Sequence, residues 1–167
     1  MVSAADETPA IADVRSVLED VRDPEIPILT IADLGILRDV AIENGEIVIV
    51  ITPTYSGCPA MNTIEQDIRA ALDAAGMAPA RIETRLAPAW TTDWLSAAGR
   101  RKLLEVGIAP PAQRSTNKRL LGAAPAIACP QCGSQATERV SEFGSTACKA
   151  LYRCRECLEP FDYFKCI

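Results

Sequence analysis

The chain has 167 residues, 49% of them apolar but only 5% aromatic, so its core must be packed largely from Ala, Ile, Leu and Val. The net charge of −5 is uneven: residues 1–108 hold nine Lys/Arg against seventeen Asp/Glu, residues 109–128 add three basic groups, and residues 129–167 hold five of each sign. There is no basic excess to neutralise phosphates, no apolar run of 18 residues to span a bilayer, and no histidine, so nucleic-acid binding, a membrane helix and His-based catalysis are excluded.

Met1 to Ala12 is acidic and lacks both the positive and the apolar regions of a signal peptide, so a cytoplasmic location is expected. Thr8-Pro9 suits a helix start, with Val14, Val17, Leu18 and Val21 on one face. Asp23-Pro24-Glu25-Ile26-Pro27 stops that helix, because the residue before a proline is pushed out of helical space. Ile36 to Ile42 and Glu46 to Thr52 read as strands joined by Asn44-Gly45, a strong hairpin signal. Ile47 to Ile51 is continuously apolar, as a central strand buried on both faces would be.

After the loop from Pro53 to Pro59, a helix carries Met61, Ile64, Ile68 and Leu72 at helical spacing and closes at Gly76. Arg81 to Leu86 alternates as a third strand. A last helix, Asp93 to Glu105, is amphipathic through Trp94, Leu95, Leu103 and Leu104. The reading is a small α+β domain of order αββαβα over residues 1–108, a proline-containing linker over 109–127, and a separate module over 128–167.

That module holds two C-x-x-C knuckles, Cys129-Pro-Gln-Cys132 and Cys154-Arg-Glu-Cys157, separated by 21 residues. Two such pairs bring four thiolates to one tetrahedral ion. Zinc is favoured over a single iron, although the spacing accommodates both. A segment of about forty residues buries too little surface to fold alone, so the ion is expected to be structural. Thioredoxin-like redox pairs would need a helix after each motif, and Gly133-Ser134 opposes one. Phe161, Tyr163 and Phe164 either pack this small core or form an aromatic docking surface. Cys148 and Cys166 read more readily as small inert residues than as ligands.

Cys58 lies in Thr52-Pro-Thr-Tyr-Ser-Gly-Cys58-Pro59, between a buried strand and a helix start. Unpaired amides and the helix dipole should lower its pKa, and Gly57 should allow close backbone approach. A nucleophile is disfavoured, because no histidine exists to act as its base. A metal or cluster ligand fits better, with Asp23 and Glu25 as candidate carboxylates. The alternatives are a solvated turn for the two acids and a merely buried thiol for Cys58.

Asp23-Pro-Glu-Ile-Pro, Asp33-Leu-Gly35 and Thr54-Tyr-Ser-Gly-Cys58-Pro59 resemble the small α+β domain of iron–sulfur maturation proteins. Pro53-Thr-Tyr-Ser-Gly-Cys-Pro-Ala60, Pro88-Ala-Trp-Thr-Thr-Asp-Trp94, the run from Ser141 to Cys154 and the ending Glu159 to Ile167 resemble the D (J) subunit of bacterial phenylacetyl-CoA epoxidase. This resemblance implies a zinc-ribbon-like tail and a place in aerobic phenylacetate degradation. A di-iron oxygenase there works with a flavin and iron–sulfur reductase subunit. The chain has no Glu-x-x-His ligand pair and no glycine-rich nucleotide loop, so it is neither oxygenase nor reductase. An accessory role remains: maturation, with Cys58 passing iron or a transient iron–sulfur cluster to a client such as the reductase, or a structural subunit that positions partners.

Overall fold

The computed structural model describes residues 9–77, 79–111 and 126–165, which form two compact units that meet in the chain between Ala89 and Trp90. The fold class is α+β, as expected, with two three-stranded sheets.

In the first unit, helix α1 (Ile11–Leu18) buries Val14 and Leu18, one turn apart on one face. The cap expected at Thr8 lies outside the described residues. The chain then turns through Asp23–Leu29, closed by an isolated antiparallel bridge between Arg22 and Thr30. Strands β1 (Leu37–Glu43) and β2 (Glu46–Ile51) pair antiparallel, with Glu43 opposite Glu46. Asn44 and Gly45 both have positive φ (52° and 83°), as a type I′ hairpin turn requires.

β2 is the middle strand, and all five residues from Ile47 to Ile51 are buried. Its other neighbour, β3 (Ala80–Thr84), runs parallel, so the connection must cross over the sheet, which helix α2 (Met61–Ala74) does. Ile64, Ile68 and Leu72 form the buried stripe of α2. The helix ends in a Schellman motif: Met77 N–H reaches Leu72 O and Gly76 N–H reaches Asp73 O, with Gly76 at φ 69°. Strand β3 stops short of the expected Leu86, which is 58% exposed.

In the second unit, the helix expected from Asp93 breaks in two. A 3₁₀ turn (Thr92–Trp94) is capped by Thr91, Leu95 is extended, and α3 (Ala97–Glu105) restarts from Ser96, whose hydroxyl accepts Gly99 N–H at 2.8 Å. Periodicity alone places residues 90–108 with the first domain. Here they pack with the ribbon for identifiable reasons. Ala109 bridges Tyr163, donating to Asp162 O (2.8 Å) and accepting from Phe164 N–H (2.9 Å). Trp90 meets the Phe164 ring edge-on at 6.1 Å. Arg100 ties Thr92 O (2.8 Å) to Pro111 O (2.7 Å).

The ribbon is an antiparallel sheet of β4 (Thr137–Ser141), β5 (Lys149–Cys154) and β6 (Pro160–Phe164). Its core joins Ile127, Cys129, Ala150, Cys154, Phe161 and Tyr163, with Tyr152 stacked on Phe161 at 6.0 Å. Phe161, Tyr163 and Phe164 are all buried, so they are core residues and not a docking surface. Most of the linker, and Cys166, lie outside the described residues.

Candidate metal centre and the Cys58 loop

The sheet register brings the two knuckles together. Thr137, just after the first knuckle, pairs with Cys154, the first residue of the second. Each knuckle closes its own loop: Cys129 N–H bonds Ser134 O (2.9 Å), and Cys154 N–H bonds Glu159 O (3.0 Å). The residue after each knuckle takes a left-handed conformation, Gly133 at φ 75° and Leu158 at φ 65°. Glycine does this freely; for leucine it costs about 1–2 kcal/mol.

All four sulfurs lie within 4.8 Å of one another, with Cys129–Cys157 at 3.7 Å and Cys132–Cys154 at 3.5 Å. Sulfurs bonded at about 2.3 Å to one tetrahedral ion would stand about 3.8 Å apart, whereas a disulfide holds them at about 2 Å. The donor set therefore fits a four-thiolate metal ion. Cys129 and Cys154 are buried, while Cys132 and Cys157 reach the surface. Backbone amides aim at the sulfurs. Those of Cys157 and Glu156 push Cys154 down to about 6. Cys157, although the Glu159 amide favours its thiolate, is pushed up to about 12 by burial and the crowding sulfurs. Converging thiols that resist sharing negative charge are the situation that a cation relieves.

Cys58 sits in the second candidate locus. Its N–H closes a turn onto Tyr55 O (3.1 Å), and α2 begins three residues later. Its pKa is raised from 9.0, not lowered as its place before a helix suggests. Burial is the largest cause, and the Glu25 and Asp23 carboxylates add to it; together they outweigh the Ala60 amide and the Tyr55 side chain. Gly57 has no steric role, because a Cβ there would meet nothing within 4 Å.

Asp23 is buried, and its Oδ1 accepts Glu25 N–H (2.9 Å) and Ile26 N–H (2.7 Å), which fixes the turn. Asp23 and Glu25 thus stand within electrostatic range of Cys58. Even so, the four ribbon cysteines are the only group whose ligand atoms already converge among the described residues. One residue that sequence reasoning leaves without a role also belongs here, and a second fixes a turn elsewhere in the same unit. Tyr55 hydrogen-bonds the Cys58 thiol. Asp33 is buried and exchanges hydrogen bonds with Thr30, a T-x-x-D spacing that is visible in the chain.

Residues 11–81 match the family described as iron-sulfur cluster assembly protein, and residues 113–165 match the PaaD zinc beta ribbon domain. An Escherichia coli (strain K12) protein, provisionally named as the D component of 1,2-phenylacetyl-CoA epoxidase, is 50% identical over 159 residues, covering 95% of this chain and 94% of its own length. A Porphyromonas gingivalis Fe-S protein maturation auxiliary factor is 31% identical over 97 residues, 57% of this chain and 89% of its own. The crystal structure of a domain of unknown function, DUF59, from Bacillus anthracis superposes with a TM-score of 0.51 at 27% identity, over 56% of this chain and 90% of that one. No described helix is long and apolar enough to cross a membrane. With half of its residues identical along nearly the full length of both chains, this chain belongs to the family of phenylacetyl-CoA epoxidase D components, an iron–sulfur assembly domain joined to a PaaD zinc ribbon.

Proposed function

We propose that this protein is a cytoplasmic accessory component of a phenylacetyl-CoA epoxidase system, and that it assists maturation of an iron–sulfur cluster or iron centre in a partner subunit, foremost the iron–sulfur reductase. The observation that carries this reading is the placement of Cys58. It stands at the head of α2 in an assembly-type domain, within the field of Asp23 and Glu25. Iron or a cluster is cargo here: its charge would offset the mutual repulsion of the thiolate and the two carboxylates, and Cys58 would be the soft ligand. The ribbon's metal, zinc in this reading, is structural. It holds Cys129, Cys132, Cys154 and Cys157 and so positions the module against the client.

The test is to isolate the reductase from cells that lack this chain. It should be poor in iron and sulfide, and the wild-type chain should restore both while Cys58→Ala does not. Full cluster content without the chain refutes the reading.

A second reading, a structural subunit that only positions partners, draws support from the raised pKa of Cys58, which keeps the free thiol protonated near neutral pH. In that case Cys58→Ala is harmless, whereas loss of residues 129–167 abolishes association.

A further inference from the structure

The two knuckles of the ribbon end in the same backbone shape but not in the same residue. Gly133 and Leu158 each follow the last cysteine of a knuckle, and each is left-handed, at φ 75° and 65°. A Cβ at Gly133 would meet nothing within 4 Å, so glycine stands there for its backbone freedom alone. Leucine lacks that freedom, and burial does not offset the strain, since Leu158 is 63% exposed. Strain kept at a position that buries so little points to a use outside the chain.

The surroundings give that use a chemical character. Every residue from Arg155 to Pro160 is exposed. The neighbouring basic groups are already engaged, because Glu138 holds both Arg153 (3.6 Å) and Arg155 (2.9 Å). Glu156 and Glu159, in contrast, make no ion pair among the described residues. Four thiolates around one divalent ion leave an excess of negative charge, and Cys132 and Cys157 bring part of it to the surface. The first knuckle, Cys129 to Gly133, holds no cationic side chain to offset it. Helix α3 also ends against this knuckle: a Cβ on Gly107 would stand 3.3 Å from Gln131 Nε2, and the preceding Val106 is exposed.

An exposed apolar side chain in an acidic field is complementary to a pocket that is apolar within and carries Lys or Arg at its rim. We propose that Leu158 is an anchor by which the ribbon docks into such a pocket on the client polypeptide, with Glu156 and Glu159 steering its approach. Taking the reductase as that client rests on the maturation reading.

The probe is the reductase subunit isolated from cells that lack this chain, presented to the full chain purified with its metal. Leu158→Gly and Leu158→Asn both suit a left-handed position, so they should keep or raise the Tm. They should nevertheless bind about tenfold more weakly, chiefly through faster dissociation. Replacing both Glu156→Gln and Glu159→Gln should slow association and flatten its salt dependence, with dissociation nearly unchanged. Unchanged binding in Leu158→Gly overturns the anchor, and so does a wild-type chain that does not bind. A fall in Tm in both Leu158 variants also overturns it, because leucine would then serve the fold. If the wild-type chain alone dimerises in sedimentation and Leu158→Gly does not, the tip belongs to a second copy and the proposal is again overturned. The iron and sulfide content of the same reductase preparation judges the maturation reading, so the two fail separately.

Discussion

Cys58 shows how burial and neighbouring charge compete with a helix end. The thiol is favoured in its neutral form by desolvation first and by Glu25 and Asp23 next. Its folded value lies above 9.0, so the stability linked to it is present below that pH and is lost as pH rises through the folded value. Peptide-mapped alkylation of metal-loaded protein at pH 8 should therefore be slower at Cys58 than for a free cysteine. Glu25→Gln should speed it, because removing a negative charge favours the thiolate. An unchanged rate would separate Glu25 from the site. At the ribbon knuckles, Leu158→Gly should be neutral or stabilising by up to about 1 kcal/mol, and Gly133→Ala should cost about 1 kcal/mol, both read as Tm of the metal-loaded chain. That the four ribbon cysteines would converge was legible from their spacing. The raised pKa of Cys58 was not, because it depends first on how far the folded chain buries the thiol and then on a turn some thirty positions earlier that brings Glu25 and Asp23 within range.

Most elements followed from periodicity and punctuation. Asn44-Gly45, the Ile47–Ile51 run and Gly76 each placed a turn, a central strand and a helix end where the fold has them. The helix expected from Asp93 failed because apolar spacing concealed two caps. Thr91 and Ser96 each satisfy free amides, so the chain stops and restarts between them. Ser96→Ala should cost about 1 kcal/mol by thermal unfolding, while Ser96→Asp should retain most of the stability. Truncation in the first sheet's packing should cost more: Ile64→Ala, at a fully buried position, about 2–5 kcal/mol. A smaller loss would mean that α2 packs more loosely than its buried stripe indicates.

For the whole molecule, the sequence separated a carbon-packed domain from a metal-stapled one, but it drew the line too late in the chain. Residues 90–111 read as ordinary helix and linker, and nothing local says that Ala109 will join the edge of β6 or that Trp90 will meet Phe164. Such long-range pairings leave no periodic trace. The two units should nevertheless respond differently to metal removal. A chelator should expose the amides of β4, β5 and β6 to exchange while those of β1, β2 and β3 stay protected, since the first sheet buries a continuous apolar strand and the ribbon's small core is built around two of its own ligands, Cys129 and Cys154.

The most direct measurement is the metal content of freshly purified protein. Four sulfurs spaced like the corners of a tetrahedron predict a single equivalent of zinc per chain, retained in Cys58→Ala and lost in Cys129→Ser and Cys154→Ser. Protein that contains neither zinc nor iron, with β4–β6 intact, would contradict it.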